Sequence, residues 1–511
     1  MIRHSINKAL WLFVHKIPWK PILIWGPCIL LILIATFYAI ENWRGARAWE
    51  QAEKKAKAAG ISLNYRDYLP PAETEGLDLS ILPEFNSVNL TDFRQRSTNG
   101  ESSLNSDRKV FRNRDRWQAK PIDITTWLAP SNPPSDKEEA ALRLTEIAKT
   151  DLSKLEEIIS VTKEKQLVGT SRGDFSSTQD IMSGLYMTTL GMASLASEDA
   201  LIALAQQDSE RALGNIRFLL RLFQIEGAPN FMNLLIKIFI LITAEDTIWE
   251  ACHTQQLNLF QYKTLRDALA KVELEEVIVQ NLQGEMAFQL TSLEEIRTNR
   301  ERLQSTFELF STGFTSRWAP GVTPIDEALS KIDSLLYRLI PGGWIDRLKA
   351  HSVQVFSPMA TTAEFNFAKL ETITQYNLAS GSKLPVPISE MSELIWSPNY
   401  LRKIARGIAN FHLTRIGVDL EIFRLQNKRY PKTLAELPNS YPNDPFSGEP
   451  FRYRLKDDQT PIVWSIGENQ VDEGGLPGFV SEEGDLVWQL TPIPGLSKSD
   501  LKKKLSKHRL N

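Results

Sequence analysis

Six histidines, at positions 4, 15, 253, 351, 412 and 508, are the first residues to test for acid–base or metal chemistry. No two stand at the spacing that puts a pair of imidazoles around zinc on one helical face. His253 and His412 fall within helical patterns, where packing is the simpler role. Cys28 and Cys252 are too few for a disulfide framework or a zinc site of their own. One nucleophile-elbow match occurs, Gly169-Thr170-Ser171-Arg172-Gly173. That motif needs a strand before the serine and a helix after it, whereas a charged helical stretch at 162–166 precedes this one. The overlapping Arg172-Gly173-Asp174 reads as loop. Adjacent acids (Glu156-Glu157, Glu275-Glu276, Glu294-Glu295) read as solvated helix faces, because neighbours on a helix do not face each other. Neither a phosphate loop nor a dinucleotide fingerprint is present. No catalytic residue is assigned.

The densest ligand chemistry lies at residues 467–485. Glu468, Asp472, Glu473, Glu482, Glu483 and Asp485 crowd a segment loosened by Gly474, Gly475, Gly478 and Gly484. Hard divalent ions take several oxygen ligands at ~2.3–2.6 Å from turn-rich loops of this kind. The spacing departs from an EF-hand, and a solvated acidic loop is the simpler reading.

The elements that position these residues begin with residues 22–40, ILIWGPCILLILIATFYAI, which carry no charge. At ~1.5 Å per residue this run spans a ~30 Å hydrocarbon core, which predicts a transmembrane helix. Trp11, Trp19 and Trp25 before its centre, and Tyr38, Trp43 and Trp49 after it, suit the membrane–water interface. A signal peptide cleaved after Ala46-Arg47-Ala48 is the alternative, although the run exceeds the ~7–15 residues of a signal core. Arg3, Lys8, Lys16 and Lys20 precede the run, and Arg44, Arg47, Lys54, Lys55 and Lys57 follow it, so charge balance leaves orientation open. Long domains translocate largely regardless of nearby charge. The expectation is a cytoplasmic N-terminus (1–21), a single pass through a bacterial inner membrane (22–40) and a periplasmic bulk.

Residues 41–134 read as a helical extension as far as Gly60, then a loop-rich connector marked by Pro70-Pro71, Gly76, Pro83 and the polar run 97–107, with Trp117 and Trp127 as docking residues. Residues 135–398 read as a helical domain. Leu201, Leu204, Leu213, Ile216, Leu219, Leu220 and Phe223 recur at helical spacing, and breaks at 169–173, 227–229 and 255–259 predict antiparallel hairpins. Residues 204–213, LAQQDSERAL, resemble the turn of a tetratricopeptide-type repeat, but no ~34-residue period follows. A helix at 325–340 carries Leu329, Ile332, Leu335, Leu336 and Leu339 on one face, as a core stripe or as a surface-seeking helix ending in Trp344. Residues 496–511 form a basic tail with Lys502, Lys503 and Lys504 consecutive, read as a solvated terminus or a contact for anionic lipid.

Residues 399–495 read as a small α+β module. Its helix (399–426) carries Ile404, Ile408, Phe411, Ile416, Leu420 and Phe423 at helical spacing. Phe451, Tyr453 and Leu455 alternate with Arg452 and Arg454, residues 461–466 return as a partner strand, and 485–490 supply a third. The order helix, Tyr430-Pro431, Asp444-Pro445, Tyr453-Arg454, Ser465-Ile466-Gly467, Asp485 to Trp488 resembles the C-terminal domain of the type II secretion major pseudopilin. The match covers about a fifth of the chain. It implies a calcium site at Asp472 and Asp485, with Glu468 beside them. The apolar run lacks the prepilin-peptidase site and the glutamate of that family, so the resemblance does not imply assembly into a pilus. The whole chain, with ENWRG after the apolar run and a YP…DPFSG ending, also resembles a group of bacterial single-pass membrane proteins, which implies no activity.

The expected fold is thus mainly α, built of antiparallel helical hairpins, with an N-terminal transmembrane helix and a small C-terminal pseudopilin-like α+β module. A formal charge of −3 over 511 residues gives no general field for nucleic acid. The expected function is a membrane-tethered, non-enzymatic interaction or scaffold protein. Its partners would be the lipid bilayer and another protein, with no cofactor beyond possible calcium. The alternative is a periplasmic, membrane-anchored hydrolase whose site is assembled from distant residues.

Overall fold

A computed structural model describes residues 19–69, 77–79, 82, 119–128, 131–163, 165–168, 184–225, 227–298, 339–361, 366–373, 398–457, 459–478, 483–493 and 496–508. The serine-elbow motif, Trp117 and nearly all of the helix expected at 325–340 lie outside the described residues. The chain divides into two compact units. One takes residues 1–63, 289–355 and 377–396, and the other takes 64–288, 356–376 and 397–511.

The first unit is organised on α1 (Trp19–Ala58), a continuous helix that contains Pro27 in its interior. Its apolar half is bare: Trp25, Ile29, Leu31, Ile32 and Leu33 are each more than half exposed. The charged half that follows is laced by Glu50–Lys54 and Glu53–Lys57 pairs, each at 2.7 Å and four residues apart. It stops where Gly60 turns left-handed (φ 74°), with Gly60 N–H donating to the Lys57 carbonyl and Ile61 N–H to that of Ala56. Among the described residues, α1 is the helix long and apolar enough to span a membrane. The helix α9 (Gly342–Ala360) crosses it glycine to glycine. A Cβ on Gly45 would lie 2.1 Å from the Gly343 carbonyl oxygen, and one on Gly343 would lie 2.0 Å from that of Glu41. Leu293 and Ile296, from the end of α8 (Leu274–Thr298), close a small core with Ile340, Ile345 and Leu348.

The second unit is a helical stack. It contains α2 (Lys137–Ile147), α3 (Lys149–Thr162), α4 (Gly184–Ala205), α5 (Ser209–Phe223), α6 (Phe231–Thr254), α7 (Leu259–Ala270), the start of α8, α10 (Pro398–Asn427) and α11 (Lys498–His508). Helix starts follow side-chain caps. Asp136, Asp208, Asn230 and Asn258 each accept a backbone N–H of the first turn, and Gln261 completes a capping box with Asn258. Helices α4, α5 and α6 pack against one another, and the expected break at 227–229 falls between α5 and α6. Buried Asp199 ties two of them by accepting from Arg211 Nε at 3.0 Å and Asn215 Nδ2 at 2.7 Å. Trp127 is buried, so the connector docks as its tryptophan suggests. A two-residue parallel pairing of β1 (Leu77–Asp78) with β2 (Leu167–Val168) was not foreseeable from pattern alone.

The C-terminal strands β3 (Arg452–Leu455), β4 (Pro461–Ser465) and β5 (Leu486–Gln489) form an antiparallel sheet in that order, with Tyr453 opposite Val463 and Val463 opposite Trp488. This is the hairpin and third strand that alternation predicts. The sheet rests on α10, where Gly417 makes room for the Trp488 ring: a Cβ there would lie 2.1 Å from the indole. Because α10 also packs on α6 and α7, the C-terminal segment is continuous with the helical stack and shares its core.

Candidate binding groove

Helix α10 buries an uncommon set of polar side chains. His412, Asp419 and Glu421 are each no more than 2% exposed, and buried polar groups persist only where partners replace water. His412 Nε2 lies 2.9 Å from Glu275 on α8. Burial pushes the Glu275 carboxyl up, but the hydrogen bond and charge of His412, with Arg415 nearby, hold it below the usual carboxylate range. The other His412 nitrogen is buried with no hydrogen-bond partner among the described residues. Glu421 accepts from the Tyr430 hydroxyl and Arg424 Nη2, each at 2.7 Å. Burial still holds its carboxyl above the ordinary range. Beside it, burial raises the Cys252 thiol and the Tyr262 hydroxyl, which face each other. The Cys252 thiol and the Tyr262 hydroxyl keep their protons at neutral pH and act as packing.

Asp419 differs, because it stands at the wall of an open groove. One of its oxygens accepts from Asn439 Nδ2 at 2.8 Å and from the Tyr441 hydroxyl. The other is buried with no hydrogen-bond partner among the described residues. The groove runs between α7, α10 and the loop at 438–440. Arg266, Asp267, Arg415, Asp419, Asn439 and Ser440 are among its lining residues. Its volume is about 500 Å³, within the ~300–1,000 Å³ of small-ligand or side-chain pockets. Arg266 pairs with its exposed neighbour Asp267 at 3.0 Å. Arg415 makes no ion pair among the described residues, and its guanidinium sits 5.8 Å from the Phe411 ring centroid. Two half-buried guanidinium groups beside amide and hydroxyl donors suit a carboxylate or another planar anion. A second cavity, bordered by Glu245, Trp249, Asn410, Thr414, Trp488 and Gln489, measures about 10 Å³ and admits no substrate.

The carboxylates expected to hold calcium are spent on protein donors. Asp485 accepts from the backbone N–H groups of Gly475 (2.7 Å), Leu476 (3.1 Å) and Glu473 (3.4 Å). Burial, together with the Glu473 charge, pushes it up to about 8. Asp472 accepts from Trp464 Nε1 at 3.0 Å and Gly474 N–H at 2.9 Å. Against burial, these bonds hold it below the usual range. Glu468 pairs with Arg406 at 3.0 Å. Amide hydrogens therefore converge where a cation would need oxygens. Among the described residues, no three of His, Cys, Asp and Glu gather to hold a metal. This donor pattern does not fit calcium.

Asp444 plays a structural role of the same kind. It bolts the Asp-Pro-Phe-Ser-Gly turn to the end of β4 by accepting from Ser465 Oγ (2.7 Å), Phe446 N–H (3.1 Å), Ser447 Oγ (3.1 Å) and Ile466 N–H (3.2 Å). Sequence reasoning did not single out the groove residues. Arg266 and Arg415 are about 150 positions apart, and nothing in their local patterns distinguishes them from surface arginines. Comparison of the chain with protein-family models, curated proteins and solved structures finds no match.

Proposed function

We propose that this chain is a membrane-tethered, non-enzymatic interaction protein. In this reading α1 anchors it by a single pass through a bacterial inner membrane, and the helical bulk on the periplasmic side receives an anionic group of a protein partner in the Arg266–Arg415 groove. The observation that carries the reading is the exposure of the apolar half of α1, joined without a break to a charged, water-compatible half. An apolar surface of that length is stable only against lipid or protein. The groove supports the second part, because its guanidinium groups are held on two helices of one unit. In this reading the C-terminal sheet on α10 is a pseudopilin-like module that buttresses the groove.

The test is site-specific photo-crosslinking in native membranes, with a benzophenone amino acid at Ser440 of the full chain. A discrete crosslinked protein that disappears when Arg266→Glu and Arg415→Glu are introduced together supports the groove. An unchanged crosslinking pattern in that variant refutes it. A reporter fused after Asn511 that is active only in the cytoplasm reverses the orientation.

A further inference from the structure

Residues 339–344, Leu-Ile-Pro-Gly-Gly-Trp, lie against α1 where its apolar run ends. The Tyr38 hydroxyl donates to the Leu339 carbonyl. Gly343 N–H donates to Asn42 Oδ1 at 2.8 Å. The Trp344 ring packs edge-on against Phe37 with centroids 6.0 Å apart, while its Nε1 donates to Glu41 at 2.8 Å. Gly343 permits this approach, since any side chain there would strike the Glu41 carbonyl. Leu339 nevertheless remains 59% exposed, although its neighbour Ile340 is buried.

These contacts fix the depth of the segment along α1. Tyr38 precedes the last apolar residue, Ile40, by two positions, about 3 Å at the helical rise. Leu339 therefore shares the level of Phe37 and Tyr38, which are apolar surroundings. Just beyond that level lies a polar layer, in which Glu41 pairs with Arg44 at 2.9 Å and with Arg347 at 3.4 Å. Trp344 bridges the two, ring toward Phe37 and N–H toward Glu41. An indole placed with its body in apolar surroundings and its N–H at the polar level is the arrangement favoured at a membrane–water interface.

We infer that residues 339–344 form a second membrane contact: a turn clamped to the end of the apolar run, seating Leu339 among acyl chains and Trp344 at the headgroup boundary. The inference rests on the reading of α1 as membrane-spanning. It assigns the bilayer as the occupant of the exposed Leu339 surface because Leu339 is bonded to Tyr38, beside Phe37, itself 45% exposed at the end of the bare run of α1. Its consequence is that the start of α9 is held at the bilayer surface by lipid as well as by α1.

The experiment uses the full chain in phosphatidylcholine–phosphatidylglycerol vesicles, with Cys28→Ser and one new cysteine carrying an environment-sensitive fluorophore. Cys252 is fully buried and stays unlabelled. Ile32→Cys reports the bilayer interior. Lys57→Cys reports water, about 26 Å beyond Ile40 along the helix. The Leu339→Cys probe is expected to be quenched by nitroxide on lipids near the headgroup, and to be severalfold less accessible to aqueous iodide than the Lys57→Cys probe. Equal iodide access at both positions, with Ile32→Cys still quenched by lipid, overturns the second contact and leaves the anchor standing. Loss of lipid quenching at Ile32→Cys removes both.

Discussion

The two longest described helices, α1 and α10, use the same apolar residue types and put them in opposite surroundings. On α10, Ile404, Phe411, Ile416 and Leu420 are buried to within 1% of their surface, and the polar His412, Asp419 and Glu421 are buried with them. On α1, Leu31 is 66% and Ile32 64% exposed, and no polar face interrupts the run. The difference teaches what each helix is solvated by. Protein atoms cover α10 almost all round from Gly407 to Ile422, where Arg415 alone is no more than half-buried, while the apolar half of α1 is bare all round, as suits a helix in lipid. Each helix also meets its neighbour through a glycine, Gly45 against a backbone and Gly417 against an indole.

Substitutions can break this contrast. Phe411→Ala empties a packed site and is expected to cost roughly 3–5 kcal/mol in a denaturant melt of the second unit. Leu31→Ala in the same reconstituted full-length protein should leave that melt unchanged. Equal losses would mean that the apolar face of α1 is covered by protein. Gly417→Ala gains up to ~1 kcal/mol of helix propensity but drives a methyl group into Trp488. A net loss of about 1–3 kcal/mol is expected from overpacking, and no loss would show that the sheet shifts freely on α10.

Acid–base behaviour sharpens the picture of α10 further. Because burial holds Glu421 above the ordinary carboxylate range, the folded state binds its proton more tightly than the unfolded chain does. Its contribution therefore favours acid, and it is lost as pH rises from the unfolded carboxylate value through the folded one. Glu421→Gln should flatten stability against pH across that interval, and an unchanged slope would place the titration elsewhere. The smallest effect is expected from calcium. Melts in excess calcium and in chelator should coincide, since the loop amides already satisfy Asp485. An upward shift with calcium would mean that the loop rearranges around a cation.

An uninterrupted apolar run made α1 legible, and periodicity did the same for α5, α10 and the C-terminal strands, because each of these buries a face set by its own repeat. The charge-free run at 22–40 marks only part of α1, which begins at Trp19 and keeps Pro27 in its interior. What pattern did not show depends on contacts between distant residues. Arg266 meets Arg415 only through the packing of α7 on α10, Tyr38 meets Leu339 across some 300 positions, and β1 finds β2 through two residues. The partners of the acidic loop were hidden for a related reason. Composition counts carboxylates but does not reveal that backbone amides reach Asp485 first.

The account stands on α1 being solvated by lipid. Alkaline carbonate extraction of native membranes tests that directly, on the full chain beside a version lacking residues 1–41. The full chain should stay in the membrane pellet while the shortened chain is released as a soluble, largely helical protein. Full-length chain washed into the supernatant by carbonate would contradict the claim.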